Sequence, residues 1–187
     1  MSGFRRTGDR IVHAWQHFAL VEADFEGPEG RAFQRTYLHH PGAVGVVAVD
    51  GDDAVLVRQY RPALDRELLE IAAGTLDRPG ELPLACAERE LREEVGARAG
   101  SLVFLVSYVV AAGVSDEQLH LFLATDLTFG AREADGIEEE AMSVVRLPLA
   151  DVDAAVADGT IADAKTILGL LLARRRLGGQ PTSPSSR

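Results

Sequence analysis

Glu90, Glu93 and Glu94 lie together in the run Arg89-Glu90-Leu91-Arg92-Glu93-Glu94. On an α-helix, at about 100° per residue, these three carboxylates fall within an arc of roughly 100°. Glu90 and Glu94 are then i,i+4 neighbours, which repel each other mildly in water. A hard divalent cation reverses that sign, because Mg²⁺ takes carboxylate and phosphate oxygens together. The plain alternative is a solvated helix face, with Glu88, Arg89 and Arg92 forming ion pairs. A second acidic run, Glu138-Glu139-Glu140, stands just ahead of Met142. Taken alone, such a run in a loop reads as a solvated patch.

These groups need elements to hold them. Residues 83–95 form the clearest helix, with Pro83 in its first turn. Leu84, Ala87, Leu91 and Val95 line one stripe of it, and Gly96 is placed to end it. Upstream, residues 11–21, 33–38, 43–49, 54–60 and 67–71 read as strands. Residues 26–30 form a turn cluster between the first two, and Asp50-Gly51 marks a hairpin. Gly74, Pro79 and Gly80 mark a loop. Strand signals resume over residues 102–110, 119–124 and 142–147. Two helices follow, over residues 151–156 and 162–176, the second with basic residues in its last turn. Residues 178–187 read as a flexible tail. Strands, a helix, more strands and two helices predict an α+β fold built on a mixed sheet rather than a regular βαβ array.

The chain has 187 residues, 47% hydrophobic and 26% charged, an ordinary balance for one globular domain. A formal charge of −10 is a poor match for nucleic acid, which rewards basic patches. It leaves room for a small phosphate ligand held through metal ions and a few arginines. No apolar run approaches the roughly 20 residues of a membrane span. No apolar stretch follows Arg5 and Arg6, so neither a membrane partner nor a signal peptide is expected, and the cytoplasm is the default location. Cys86 is the only cysteine, which excludes an internal disulfide and a Cys-based zinc site. It reads as a small buried hydrophobe.

The stretch from Gly74 through Glu81 to Arg89-Glu90-Leu91-Arg92-Glu93-Glu94-Val95-Gly96-Ala97 resembles the Nudix box, G-x5-E-x7-R-E-U-x-E-E-x-G-U, where U is a bulky aliphatic. From Glu81 to Gly96 every specified position matches. Six residues rather than five separate Gly74 from Glu81, and the last aliphatic is only Ala97. An added residue in a loop is tolerated. The resemblance implies a Nudix fold, a mixed β-sheet sandwiched between α-helices, with the box as loop–helix–loop. It implies Glu90 and Glu94 as main metal ligands, and Glu93 as a further ligand or a supporting catalytic group. It gives the Ala73 carbonyl a place on a metal. Glu81 and Arg89 would pair to tie loop to helix, between the box glycines Gly74 and Gly96.

Outside the box, several stretches resemble the ADP-ribose pyrophosphatase branch: His39-His40-Pro41-Gly42-Ala43-Val44, Arg58-Gln59-Tyr60-Arg61, Glu70-Ile71-Ala72-Ala73-Gly74, Ala112-Gly113-Val114-Ser115-Asp116-Glu117 and Asp163-Ala164-Lys165-Thr166. Ala72 and Ala112 stand where that branch carries proline. The resemblance implies hydrolysis of ADP-ribose, or a related nucleoside diphosphate sugar, with Mg²⁺ or Mn²⁺. Glu138 is then first choice as general base and Glu139 second, with Glu140 as a further metal ligand. Arg61 suits a diphosphate contact, and Arg35 is a weaker candidate that could come from a partner subunit. Ser115 and Glu117 could hold the terminal ribose. Trp15 and Phe18 could stack on adenine, although core or dimer packing is the plainer role. His39 and His40 read as strand residues, and Lys165 as surface or packing. The branch implies a homodimer, with residues 1–40 as a strand region open to exchange between subunits and residues 41–177 as the hydrolase domain. The rivals are another diphosphate substrate (GDP-mannose, NADH or a dinucleoside polyphosphate) and a non-catalytic nucleotide sensor.

Overall fold

A computed structural model describes residues 3–133 and 136–178, with Glu138 described by its backbone alone. The tail expected over residues 178–187 lies outside the described residues, apart from Gly178. Strands β1 (Arg5–Ala14), β2 (Ala19–Glu26) and β3 (Ala32–His39) form an antiparallel sheet of their own. The strand expected over residues 11–21 is in fact a hairpin, closed where the Trp15 N–H donates to the Phe18 carbonyl at 2.8 Å. Folding back sets Ile11 opposite Val21, a cross-strand pairing that one extended strand could not make. β1 is exposed along most of its length, whereas β2 buries Ala19, Val21 and Ala23.

The main sheet has seven strands: β4 (Ala43–Asp50), β5 (Asp53–Arg61), β6 (Arg66–Glu70), β7 (Ala72–Thr75), β8 (Ala97–Val109), β9 (Gln118–Phe129) and β10 (Ser143–Pro148). Its order is β10-β5-β4-β9-β8, with β6 paired to β5 and β7 to β4. β4 runs parallel to β9 and antiparallel to β5 and β7, so the sheet is mixed. Gly74, expected in a loop, lies within β7, because residues 72–75 find a partner in β4.

Helices cover both faces, which is why β4 reads as an uninterrupted apolar run. Its Val44, Val46 and Ala48 pack with Cys86, Ala87 and Leu91 on the side of helix α1 (Pro83–Glu90). Val47 and Val49 pack on the other side with α3 (Val152–Ala157) and α4 (Ala164–Leu177). Between α1 and α3 lies the short helix α2 (Ile137–Ala141). The layers are the α+β sandwich expected from the element order.

One junction sets the geometry of the centre. At the start of α4, the Asp163 carboxylate accepts the Thr166 N–H at 3.0 Å, an N-cap. The Thr166 hydroxyl donates to the same carboxylate at 2.6 Å and accepts the Ile71 N–H at 2.9 Å. Ile71 is the residue between β6 and β7. Helix α4 therefore grips the sheet where the chain passes from one pairing partner to the next.

Candidate active site

Helix α1 continues into a π-helical turn, Leu91–Val95, of the kind often found at functional sites. Gly96 ends it at φ 71°, with its N–H on the Arg92 carbonyl. A side chain there would be strained, and its Cβ would lie 2.9 Å from the Gly130 carbonyl oxygen. The π turn changes which acidic residues share a side. Glu90 and Glu94 converge with Glu139 of α2, a carboxylate oxygen from each lying within 4.8 Å of the others. Glu93 falls outside this group. It accepts from Arg89 at 2.8 Å and lies 3.4 Å from Arg78.

Arg89 organises the box. Its Nε and Nη2 each donate to Glu81 at 3.0 Å, a two-pronged bridge from helix to loop. Its Nη1 reaches Glu90 at 2.5 Å and Glu93 at 2.8 Å. The Arg89 bond holds the Glu81 carboxyl below the usual range. Cys86, fully buried in α1, donates to the Thr75 carbonyl at 3.6 Å, and burial pushes its thiol up to about 12. It is a packing residue with a weak hydrogen bond, as its place on the apolar side of the helix implies.

Strand β7 supplies the opposite wall. The Ala73 N–H donates to Glu94 at 2.9 Å. A Cβ on Gly74 would sit 1.9 Å from a carboxylate oxygen of Glu90, so only glycine lets that side chain lie across the strand. Burial pushes the Glu90 carboxyl up to about 7, against the pull of Arg89. Burial likewise raises Glu94 to about 8, with Glu90 and Glu139 adding repulsion. These buried oxygen donors, charged only at a cost, fit a hard divalent cation, which would relieve both burial and repulsion.

The run at 138–140, read as a loop, spans α2 instead. Consecutive residues of a helix point about 100° apart, so only some of the run can face one centre. Glu139 faces it, whereas Glu140 is exposed and lies outside the group of three. The Glu138 side chain lies outside the described residues. Arg132, which the sequence reading passed over, donates to the Met142 carbonyl at 2.7 Å and the Glu139 carbonyl at 2.5 Å. It thereby holds the end of α2 in place.

Arg61, at the end of β5, donates through Nε at 2.7 Å and Nη2 at 2.6 Å to Glu70. Glu70 is 1% exposed and is bonded also by Lys165, itself 12% exposed. Lys165 is thus a mostly covered ion-pair partner, the packing role of the two expected for it. Burial pushes the Glu70 carboxyl up, but Arg61 and Lys165 outweigh it and hold it below the usual range. Neither residue had been read as functional. The available signal was Glu70 itself, an acid between Leu69 and Ile71 in an apolar strand end, which requires a buried cation.

Ser115 and Glu117 sit on a loop pinned to the end of β3. Leu38 bridges to Ser115, and Asp116 accepts from His39 at 2.7 Å and from the His40 N–H at 2.9 Å. The Ser115 hydroxyl accepts the Glu117 N–H at 3.1 Å. Glu117 lies 3.7 Å from His40, whose imidazole is pushed down by burial. Trp15, Gln16, Phe18, Leu38 and His40 line a cavity of about 560 Å³. Trp15 is 52% exposed and so is not a core residue, because it sits at the tip of the β1–β2 hairpin. Arg35 stays within the N-terminal sheet, bonded to the Gln34 carbonyl at 2.7 Å and stacked over Phe33 at 5.0 Å.

A family model described as the NUDIX domain matches residues 39–180. The chain belongs to the NUDIX domain family. Over 148 residues it is 38% identical to an ADP-ribose pyrophosphatase of Bacillus subtilis, spanning 79% of this chain and 80% of that protein. Over 169 residues it is 37% identical to an ADP-ribose pyrophosphatase of Mycobacterium tuberculosis, spanning 90% and 82%. A crystal structure of an ADP compounds hydrolase superposes with a TM-score of 0.83 at 27% identity, covering 96% of this chain and 97% of that one. In this Nudix chain the box runs from strand β7, paired to β4, to the π turn. Among the described residues, no helix is long and apolar enough to cross a membrane.

Proposed function

We propose that this Nudix pyrophosphohydrolase cleaves the diphosphate of ADP-ribose with water, giving AMP and ribose 5-phosphate. The observation that carries the reading is the convergence of Glu90, Glu94 and Glu139 on one side of the box helix. Glu90, Glu94 and the Ala73 carbonyl would hold divalent cations, Mg²⁺ or Mn²⁺. Such cations, when bound, polarise phosphoryl oxygens and lower the pKa of bound water. Among the described side chains of its run Glu139 is the one that reaches the centre, and it takes the proton as the water oxygen attacks phosphorus and the bridging P–O bond breaks. Glu138 is the alternative base. Glu140, being exposed, is the weaker candidate for a metal contact. Glu93 and Glu81 hold Arg89, and through it the angle of Glu90.

Arg61 offers the diphosphate the guanidinium N–H groups that Glu70 does not engage. Ser115 and Glu117 offer hydrogen bonds to the terminal ribose. The cavity beside Trp15 and Phe18 suits a purine, being apolar, aromatic and of ligand size. The exposed β1 and the position of Arg35 suit a homodimer in which the N-terminal sheet meets a second copy. Nothing in this scheme calls for nucleic acid or a membrane, and we place the enzyme in the cytoplasm.

The test is phosphate release from the purified protein, coupled to a phosphatase that attacks only monoesters. ADP-ribose, GDP-mannose, NADH and diadenosine polyphosphates are compared, each with Mg²⁺ and with EDTA. Cation-dependent turnover of ADP-ribose above the others is expected. Faster turnover of another compound would replace the substrate and keep the centre. Binding of ADP-ribose with turnover of nothing would identify a sensor instead.

A further inference from the structure

The motif Asp163-Ala164-Lys165-Thr166 caps a helix through Thr166, whereas its lysine pairs with a carboxylate on another element. Lys165 reaches across from α4 to the buried Glu70 carboxylate and lies 3.0 Å from Asp163. The same Glu70 oxygen accepts from Arg61 Nη2, while the other accepts from Arg61 Nε. Of the five N–H groups of a guanidinium, two are thus committed to Glu70. Among the described residues the Nη1 end makes no hydrogen bond. The Arg61 side chain is 38% exposed and lies within electrostatic reach of Glu94.

We infer that Glu70 and Lys165 are positioning residues for diphosphate binding. Glu70 sets the plane of the Arg61 fork, and Lys165 holds back the share of the Glu70 charge that would otherwise neutralise Arg61. The inference rests on the reading of Arg61 as a diphosphate contact. A carboxylate buried this deeply must be matched by cations. With Arg61 as its sole partner, it would claim the whole of that charge. Arg61 and Lys165 together balance Glu70 and Asp163. Removing Lys165 leaves the cluster one charge more negative beside the place where a diphosphate must sit. The chain thus carries a second cation, 12% exposed, whose task is to keep the first one useful to an anion.

A double-mutant cycle tests this, using Lys165→Met, Arg61→Gln and the pair. The measurements are kcat and KM for ADP-ribose with Mg²⁺, ADP-ribose affinity in EDTA by calorimetry, and thermal melting to verify folding. Lys165→Met should raise KM roughly tenfold, the scale of one charge-assisted contact, with kcat within about threefold of wild type. The effect should vanish in the Arg61→Gln background, since residues acting through one another are not additive. Lys165→Arg should restore KM, and Lys165→Gln replaces the methionine variant if that one does not fold. An equal rise in KM in both backgrounds, or none in either, overturns the positioning role while leaving Arg61 in place. An Arg61→Gln variant with unchanged KM and affinity overturns the reading of Arg61, and the inference with it.

Discussion

At the scale of single residues, the centre works by keeping carboxylates where water would not favour them as anions. Glu90 and Glu94 are both buried, and the ion pairs of Arg89 do not cancel the effect. Glu90→Gln removes a proposed cation ligand but keeps shape and a hydrogen-bond acceptor for Arg89. Turnover of ADP-ribose should fall by about a hundredfold or more, since a metal ligand acts directly on the reacting group. In EDTA the variant should melt no lower than wild type, because the lost charge was unfavourable. Activity within threefold of wild type would remove Glu90 from the centre. Gly74→Ala acts on the same atom from the other side. Its Cβ and the Glu90 carboxylate cannot share the space 1.9 Å apart, so Glu90 must turn away. A displacement of that size should cost about a hundredfold in kcat, measured in the same assay.

At the scale of elements, the site depends on three junctions. The π turn swings Glu94 toward Ala73 and leaves Glu93 with Arg89. Arg132 fixes the end of α2, which carries Glu139. The α4 cap fixes the passage from β6 to β7 through Thr166 and Ile71. Thr166→Val keeps the size but leaves the buried Ile71 N–H without its acceptor. The expected loss is about 1–3 kcal/mol, the cost of an unpaired buried donor, read from urea unfolding. A loss below half a unit on that scale would mean that the chain shifts to find another partner. Because Ile71 immediately precedes Ala72 and Ala73, the same variant should also reduce cation affinity.

At the scale of the whole molecule, pH and cations should act on stability in opposite senses. Glu90 and Glu94, raised from 4.5 to about 7 and about 8, keep protons in the folded state that the unfolded chain releases. Stability of the cation-free protein therefore falls as pH rises through that window. A divalent cation binds the charged form, so its stabilising effect should grow over the same range. Melting curves in EDTA and in MgCl₂ at about pH 5.5 and about pH 8 check this. A melting difference independent of pH would show that the cation binds elsewhere. The two sheets divide the molecule unequally. The seven-stranded sheet buries both faces under helices, while the N-terminal sheet leaves β1 open.

Much of this was legible in the order of residues, because local physics carries it. Apolar periodicity placed helix α1 and the run of β4, and Gly96 marked the helix end because few other residues accept its φ. The spacing of Glu81, Arg89, Glu90 and Glu94 identified the family's box. Other features depend on contacts between distant residues, which spacing cannot encode. Whether Glu138, Glu139 or Glu140 faces the centre depends on how α2 is docked by Arg132. Gly74 became a strand residue only once β4 lay beside it. Glu70 and Lys165 are 95 positions apart, and their pairing exists only because α4 packs where β6 ends. The sequence determined which groups could hold a cation and which helix would carry them. Tertiary structure decided which of those groups meet, since burial and long-range pairing, not periodicity, set the charge around them.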